Sequence, residues 1–256
     1  MPTIATWNVN SVNARLPNVL DWLRTAAPDV VLLQEIKCVD GAFPREAIEE
    51  VGYNVLTHGQ KSYNGVAILA KERIEDPLTG LPGDPSDEQA RYLEATVGGV
   101  RVASIYLPNG NPIGTEKFAY KLAWMERLRA HAATLLEGDD AVVLGGDYNV
   151  IPEPIDCHDP KAWLGDALFQ PESRAAFRAL EWLGYTEAFR ALHPTEKAYT
   201  FWDYQGGAFQ LDHGIRIDHF LLSAQAADRL VACRIDKDPR RQPKASDHTP
   251  VLVELR

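Results

Sequence analysis

The sequence predicts an α/β fold, and three observations support that class. Short runs rich in Val, Ile and Leu alternate along the chain with stretches of helical periodicity. Hydrophobic residues make up 45% and charged residues 24%, which is typical of soluble globular proteins and excludes disordered, collagen-like and coiled-coil classes. The sequence WNVN at 7–10 is echoed half a chain later by GDYNV at 146–150. Two such halves, each presenting polar residues from a strand end, suit two sheets packed face to face.

The predicted strands are apolar runs bounded by Gly, Pro, Asn or Asp, and they cover residues 3–8, 29–34, 65–70, 92–97, 100–106, 141–144, 215–222 and 251–255. Gly98 and Gly99 predict a hairpin turn between two of them. The predicted helices cover residues 16–26, 44–51, 115–136 and 172–183. In the third, apolar residues recur at helical spacing from Phe118 to Leu135.

Three loops rich in Pro, Gly and Asp are predicted at 76–87, 151–165 and 206–214. Each returns to a periodic segment within about a dozen residues, so none is an interdomain linker. Residues 1–256 are therefore predicted to form one domain. Cys38, Cys157 and Cys233 are widely spaced and odd in number, which indicates reduced structural thiols rather than a disulfide framework or zinc knuckle.

Charge and hydropathy restrict the partners that the chain can have. The longest apolar runs fall far short of the ~20 residues of a membrane span, and the N-terminus lacks a leader pattern, so a cytoplasmic protein without membrane contact is expected. With 26 basic and 36 acidic residues the net charge is −10, which opposes phosphate binding. Acidic residues that hold a metal ion would return positive charge at the point where substrate binds.

Common catalytic motifs are absent from the sequence. It contains no G-x-S-x-G, G-x-x-x-x-G-K-[ST], H-E-x-x-H or G-x-G-x-x-G, which argues against serine hydrolases, P-loop enzymes, zincins and dinucleotide oxidoreductases. What remains is a set of polar residues next to apolar strands: Glu35, Asp147 with Asn149, and Asp247 with His248. Asp218 lies within an apolar strand, where a carboxylate is costly to bury unless it is paired. Taken singly, each of these residues is more often structural than catalytic.

Six short motifs make the pattern specific. In chain order they are WNVN at 7–10, LQEIK at 33–37, YLPNG at 106–110, GDYN at 146–149, RID at 216–218 and SDHTP at 246–250. In order and spacing they resemble the exonuclease III family of DNA-repair nucleases, within the endonuclease/exonuclease/phosphatase superfamily. The segments YTFWDY at 199–204 and YNVLTHGQK at 53–61 resemble the nuclease branch rather than the lipid or inositol phosphatases.

The resemblance implies a four-layer α/β sandwich, in which two mixed β-sheets pack face to face with helices outside. It implies a monomer that hydrolyses phosphodiesters at abasic sites in double-stranded DNA, and that removes nucleotides or blocking groups from 3′ ends. It also implies Mg²⁺ or Mn²⁺ as cofactor. Mg²⁺ prefers oxygen ligands, and Glu35 is expected to bind it, with Asn10 and Asp247 as further ligands. Family members often have Asp where this chain has Asn10, which leaves a second metal position open.

Roles for the other residues follow from the same resemblance. Asp147 is expected to orient or deprotonate the attacking water, and Asn149 to hold that water or a phosphate oxygen. His248, hydrogen-bonded to Asp218, is expected to stabilise charge on the phosphoryl oxygens or to position the metal, and the carboxylate raises the pKa of the imidazole. Tyr106 is expected to donate to the phosphate or to assist the leaving group. The residues expected to hydrogen-bond the phosphate are Asn8 and Asn109.

Two further groups of residues would select the substrate. Phe201, Ile215 and Ile217 are expected to line an apolar pocket for a deoxyribose without a base, although they are equally typical of an ordinary core. The basic residues expected to hold flanking DNA phosphates are Lys61, Arg240, Arg241 and Lys244, which are otherwise typical of a solvated surface.

Two alternatives to a DNA-repair nuclease stay open from sequence. One is a phosphoesterase of the same superfamily that acts on a nucleotide, an RNA 3′ end or a lipid headgroup, and the segment at 199–204 counts against it. The other is a nucleic-acid-binding relative without enzymatic activity. The joint presence of Glu35, Asp147, Asn149, Asp218 and His248 counts against that second alternative.

Overall fold

The computed structural model describes residues 2–256, which form two mixed sheets of six strands each. The strands are β1 Thr3–Asn8, β2 Val30–Gln34, β3 Asn54–His58, β4 Val66–Ala70, β5 Ile74–Thr79, β6 Tyr92–Val97, β7 Val100–Tyr106, β8 Ala141–Asp147, β9 Thr186–Glu187, β10 Asp218–Leu222, β11 Leu230–Ile235 and β12 Val251–Leu255. The α-helices are α1 Leu16–Thr25, α2 Arg45–Glu49, α3 Glu116–Leu135, α4 Pro171–Glu181, α5 Ala188–Leu192 and α6 Ala224–Ala227. No helix among these residues is both long enough and apolar enough to span a bilayer.

The two sheets repeat one arrangement. The first has the order β11-β12-β1-β2-β4-β3, and the second the order β5-β6-β7-β8-β10-β9. In the first, β1 pairs in parallel with β2 and antiparallel with β12; in the second, β8 pairs in parallel with β7 and antiparallel with β10. The echoed sequences at 7–10 and 146–150 therefore leave equivalent central strands, β1 and β8.

The inner faces of the two sheets form one apolar core. Leu32 and Ile68 of the first sheet lie in the same buried cluster as Val102, Val143 and Phe220 of the second. Each fully buried side chain of this kind contributes about 1.5–3 kcal/mol relative to exposure. The sheets approach closely at Gly145, where an added Cβ would lie 2.7 Å from a methyl carbon of Leu32 and 2.5 Å from the Phe220 ring.

Helices cover both outer faces, so the predicted four-layer sandwich is confirmed. Trp22 of α1 and Ile48 of α2 pack on the outer face of the first sheet. Trp124 and Leu128 of α3, with Phe177 of α4, pack on the outer face of the second. Helix α3 begins where the Thr115 side chain accepts a hydrogen bond from the backbone N–H of Lys117, as expected of an N-cap threonine.

The differences from the predicted elements fall mainly at the sheet edges. Each strand that the sequence failed to predict is an edge strand: β3, β5, β9 and β11. An edge strand has one partner and is partly solvated, so it lacks the continuous apolar run that identifies a central strand. The loop predicted at 76–87 accordingly begins inside β5. The short helices α5 and α6, of five and four residues, were also missed.

Two predicted boundaries inside the second sheet were wrong. Strand β8 continues through Gly145 and Gly146 to Asp147, beyond the predicted end at 144. Strand β10 begins at Asp218 rather than at 215. The three residues before it follow a different path, because Ile215 pairs with Phe201 and Cys157 in isolated bridges while the N–H of Arg216 donates to the carbonyl of Asp156.

Candidate active site

The carboxyl ends of β1, β2, β7 and β8 meet at one edge of the sandwich. Asp147, the last residue of β8, lies opposite Tyr106 of β7 and Asp218 of β10 in the strand register. Asn8, the last residue of β1, lies opposite Gln34 of β2. Parallel pairing within each sheet therefore places the polar residues after these strands in one group.

The centre of the group is a buried cluster of two carboxylates and one imidazole. His248 Nδ1 lies 2.9 Å from Asp218 Oδ2, so the predicted hydrogen bond is present, and His248 Nε2 lies 3.7 Å from Asp147 Oδ2. Burial opposes the charged imidazole, but Asp218 and Asp147 outweigh it and raise the pKa of His248 to about 10. Asp218 Oδ1 is buried without a hydrogen-bond partner among the described residues.

Asp147 is held in place by two donors. Its Oδ2 accepts from Asn8 Nδ2 at 2.9 Å, and its Oδ1 accepts from the backbone N–H of Asn149 at 2.9 Å. Asn149 adopts a left-handed backbone conformation, with φ of 47°, which turns the chain sharply after β8. Burial raises the pKa of Asp147 to about 7, although the neighbouring His248 opposes the shift.

Glu35 is the second acidic centre of the site. Its Oε1 accepts from Asn8 Nδ2 at 3.0 Å and from the Tyr106 hydroxyl at 2.8 Å. Its Oε2 lies 2.7 Å from the Lys37 ammonium. Burial opposes ionisation, but the hydrogen bonds from Asn8 and Lys37 and the positive charge of Lys37 lower the pKa of Glu35.

The three predicted metal ligands are contiguous. Lys37 Nζ lies 2.6 Å from Asn10 Oδ1, and Asn10 Nδ2 donates to Asp247 Oδ1 at 3.1 Å. The Lys37 ammonium thus bridges Glu35 and Asn10, and Asn10 connects to Asp247. Separately, Asp147, Asp218 and His248 present ligand atoms within 4.8 Å of one another, a group that could hold a metal ion.

Asn8 connects the two acidic centres of the site. The residue is fully buried, and its amide nitrogen donates to both Glu35 and Asp147 while its oxygen accepts from the backbone N–H of Asn10. An amide group has two hydrogens, so both carboxylate contacts use its donor capacity. In this structure Asn8 therefore orients the two carboxylates, and its binding of phosphate stays a prediction.

A cleft of about 240 Å³ opens over these residues. Asn109, Asn149 and Tyr106 are among its polar lining residues, and Asn109 Nδ2 donates to Asn149 Oδ1 at 3.3 Å. The predicted apolar residues also line the cleft, together with two that the sequence did not single out; they are Phe201, Ile215, Ile217, Trp163 and Leu168. Trp163 belongs to a segment predicted only as a loop, so no periodicity marked it.

The predicted DNA-contacting residues lie outside this cleft. Lys61 and Lys244 are exposed, and Arg241 forms an ion pair with Asp238. Arg240 donates to the carbonyl of Trp202 at 3.1 Å. None of the four lines the cleft.

Lys121 is a site residue that sequence reasoning missed. It is fully buried on α3, and its ammonium donates to the carbonyls of Asn109 at 3.1 Å and Asn149 at 2.5 Å. Burial lowers its pKa to about 7, against the effect of Asp147 and Asp166. Lys121 precedes buried Trp124 and Met125 by three and four residues, so a lysine in register with the apolar face was the available signal.

Comparison with known proteins agrees with this geometry. The sequence profile of the Endonuclease/Exonuclease/phosphatase family matches residues 5–248. The chain is 35% identical to Exodeoxyribonuclease III of Haemophilus influenzae over 263 residues, covering 98% of each chain. Its structure is similar to that of an AP endonuclease from Archaeoglobus fulgidus, with a TM-score of 0.96, 39% identity and coverage of 100% and 99%. It is also similar to the 3′ phosphatase NExo from Neisseria bound to a product DNA hairpin, with a TM-score of 0.98, 39% identity and full coverage of both chains.

Proposed function

Because this chain belongs to the Endonuclease/Exonuclease/phosphatase family, we propose that its cleft hydrolyses phosphodiesters of duplex DNA at abasic sites and at 3′ ends. The chain is a hydrolytic DNA-repair nuclease of the exodeoxyribonuclease III type. One observation supports cleavage at abasic sites: a single cleft contains both reactive and apolar residues. The reactive residues belong to the Asp147, Asp218 and His248 cluster, and the apolar residues are Phe201, Ile215 and Ile217.

The residues around Glu35 fit a divalent cation, Mg²⁺ or Mn²⁺. Oxygen atoms of Glu35 and Asn10 already converge on one cation, the Lys37 ammonium, at 2.7 and 2.6 Å. The ligands would be Glu35, Asn10 and Asp247, which supply the hard oxygen atoms that Mg²⁺ prefers. When bound, the ion would supply positive charge to the phosphoryl oxygens and lower the barrier to attack on phosphorus.

In this proposal Asp147 accepts a proton from the attacking water. A pKa raised to about 7 suits a general base that works near neutral pH. A substantial fraction of such carboxyl groups is ionised at that pH, and each carboxylate binds a proton more strongly than an ordinary carboxylate does. The N–H of Asn149 and the amide of Asn8 hold the carboxylate, so its orientation needs no adjustment during the reaction.

His248 and Tyr106 act on the phosphate in this proposal. The raised pKa of His248 keeps the imidazole charged, so it stabilises negative charge on the phosphoryl oxygens, while Asp218 fixes the ring through Nδ1. Burial, with the charges of Glu35 and Asp147, raises the pKa of Tyr106, so its hydroxyl stays a donor. Asn109 and Asn149, which are hydrogen-bonded to each other, contribute amide groups to the lining of the cleft.

The apolar wall favours a deoxyribose that has lost its base. Extruding such a sugar is cheapest because no base is unstacked, and the cleft offers the sugar apolar side chains to pack against. Phe201 packs edge-on against His248, with ring centroids 5.1 Å apart, so this wall adjoins the reacting groups directly. Phe201→Ala should reduce the preference for abasic over intact sites by roughly tenfold.

A labelled duplex with a single tetrahydrofuran residue, an abasic analogue, tests the function. We expect cleavage at that residue with Mg²⁺ or Mn²⁺, and loss of cleavage with a chelator that added Mg²⁺ reverses. A second duplex with a 3′-phosphate measures action at 3′ ends. Cleavage that survives complete chelation would contradict the metal assignment, and an intact abasic duplex in Mg²⁺ would contradict the substrate assignment.

A further inference from the structure

Helix α3 carries a buried lysine next to two loops of the active site. Lys121 is fully buried, whereas Lys117, the other lysine of this helix, is exposed. Within residues 2–256 no carboxylate forms an ion pair with Lys121, although the charges of Asp147 and Asp166 act on it at longer range. An ammonium is costly to bury without an ion pair. The position of Lys121 therefore indicates a role other than packing.

The Lys121 ammonium joins the two loops that supply amide groups to the cleft. It donates to the carbonyl of Asn109, in the loop after β7, at 3.1 Å and to the carbonyl of Asn149, in the loop after β8, at 2.5 Å. No backbone N–H of residues 2–256 donates to either carbonyl. Because buried carbonyls require a donor, Lys121 is the group that satisfies both.

The contact with Asn149 fixes a residue in an unusual conformation. Asn149 has a φ of 47°, and a non-glycine residue keeps such a backbone only where its surroundings hold it. Its N–H donates to Asp147 Oδ1 at 2.9 Å, and its Nδ2 donates to the carbonyl of Leu107 at 2.8 Å. The Lys121 ammonium holds the remaining polar group, the carbonyl. Every hydrogen-bonding group of Asn149 is therefore engaged, and the residue has one orientation.

The loop after β7 is shaped around the lysine side chain. A Cβ added to Gly110 would lie 2.6 Å from Lys121 Cδ and 3.2 Å from Lys121 Cβ, and Gly110 has a φ of 86°. Gly114, four residues later, has a similar φ of 77° but no atom within 4 Å of an added Cβ. The contact with Lys121, as well as the backbone angle, therefore requires glycine at position 110.

We propose that Lys121 is a positioning residue for hydrolysis, which fixes the peptide groups after Asn109 and Asn149 and thereby orients their amides and the N–H that holds Asp147. The inference rests on the proposed function and adds to it a residue outside the cleft. Lys121 does not line the cleft, so it acts on the phosphate only through the two loops. It should therefore affect turnover more than DNA binding, and it should affect abasic sites and 3′ ends equally.

Lys121→Met tests this role, because methionine has a similar length and lacks the three donors. We measure kcat and KM per folded molecule on the tetrahydrofuran duplex and on the 3′-phosphate duplex, with the folded fraction taken from circular dichroism. On both duplexes kcat should fall by about 10²-fold, the scale of an ångström misplacement of reacting groups. KM should change by less than about threefold, because the lost interaction is made with the protein and not with DNA.

Two further variants separate positioning from stability. Tyr185→Phe removes another buried hydrogen bond to a backbone carbonyl, that of Ala132 in α3 at 2.9 Å. It should lower the melting temperature and leave kcat per folded molecule unchanged. Lys121→Arg keeps the charge and the donors, and it should recover about tenfold or more of the rate that Lys121→Met loses.

A pair of glycine variants tests the same contact with the lysine in place. Gly110→Ala displaces the Lys121 side chain and should lower kcat by about tenfold. Gly114→Ala introduces the same backbone strain without the contact and should leave kcat unchanged. In a Lys121→Met background, Gly110→Ala should cost less than about threefold more, because both changes act through one contact. This pair decides the question if a substitution of Lys121 prevents folding.

The outcomes separate the positioning role from the function. If the unaltered protein cleaves neither duplex, the proposed function is wrong. If it cleaves both and Lys121→Met keeps its kcat, only the positioning role is wrong. A raised KM with unchanged kcat would make Lys121 a determinant of DNA binding and would also overturn the role. Equal losses of kcat in Gly110→Ala and Gly114→Ala, or a folded Lys121→Arg no faster than Lys121→Met, would contradict it as well.

Discussion

Two groups of buried charged side chains lie at the same end of β10, and they are built in opposite ways. The first, the catalytic cluster, consists of Asp147, Asp218 and His248. The second, the ion network, consists of Asp156, Glu187, Arg190 and Arg216. Only Ile217 separates Arg216 from Asp218 in the chain, so the groups differ in chemistry rather than in location.

The ion network compensates its charges internally. Arg216 Nε lies 2.8 Å from Asp156 Oδ1, and Arg216 Nη1 lies 2.7 Å from Glu187 Oε1. Arg190 forms a second ion pair with Asp156. Burial opposes ionisation of Glu187, but the Arg216 charge and hydrogen bonds from His219 and the N–H of Arg190 lower its pKa to about 2. Each carboxylate is therefore more stable as an ion in the fold than in water.

The catalytic cluster leaves its charges under-compensated. Two carboxylates share one imidazole, and burial raises the pKa of Asp147. The opposite pKa shifts of Asp147 and Glu187 distinguish a group held for chemistry from a group held for stability. The predictions below test this distinction.

The largest effect is expected for Asp147→Asn, which removes the proposed proton acceptor. Single-turnover cleavage of the abasic duplex should slow by about 10⁴-fold. Because the pKa of Asp147 is raised from its usual ~3.9 to about 7 in the fold, stability falls as pH rises between these values. Removing the charge should therefore raise Tm at pH 8 by about 5 °C. Asp156→Asn is the control and should lower Tm. A similar fall in Tm for both variants would contradict the distinction between the catalytic cluster and the ion network.

The second prediction concerns the pairing of Asp218 with His248. Asp218→Ala and His248→Ala should each slow cleavage by about 10³-fold, since both leave the phosphoryl charge without a positioned imidazolium. The double variant should lose less than about tenfold more, because the two residues act as one unit. His248→Ala combined with Lys244→Gln is the control pair, whose effects on kcat/KM should multiply. If the rate losses of Asp218→Ala and His248→Ala instead multiply in the double variant, the two residues have independent roles.

The third prediction is a loss of stability in the ion network. Arg216→Met leaves two buried carboxylates without their shared partner and should lower the free energy of unfolding by about 3–5 kcal/mol in urea denaturation. Arg178→Met removes a partly exposed ion pair with Glu153 and should cost less than about 1 kcal/mol. The cleavage rate per folded molecule of Arg216→Met should stay close to that of the unaltered protein, because the loss is in stability and not in catalysis. A variant as stable as the unaltered protein would contradict the structural role.

The smallest effect is expected in the pH dependence of stability. The folded pKa of Glu187 is lowered to about 2, so its contribution is complete above the unfolded value of ~4.3 and is lost as pH falls toward 2. Between pH 5 and 3 the unaltered protein should lose about 1–2 kcal/mol more unfolding free energy than Glu187→Gln. Glu126→Gln, which alters an exposed pair, is the matched control. Parallel plots of unfolding free energy against pH for Glu187→Gln and the unaltered protein would contradict a stabilising role for ionised Glu187.

The central strands could be predicted from sequence, whereas the edge strands could not. Strands β1, β6, β7 and β12 have the predicted bounds, because burial on both faces produces a continuous apolar run that ends at a turn residue. The edge strands β3, β5, β9 and β11 lack such runs. In β5 a proline and a register shift interrupt the pattern further.

The positions of the polar strand ends were determined by the sequence, because they are set by where each apolar run stops. This is why Glu35, Tyr106 and Asp147 could be singled out, and why the six motifs indicated a nuclease. Contacts between side chains from different elements were decided by the tertiary structure. Asn8 turned to Glu35 and Asp147, and Lys121 reached the carbonyls of Asn109 and Asn149, because strand register and sheet packing determine which groups meet. A linear pattern gives the spacing along one strand, and the distance between two sheets exists only after both have packed.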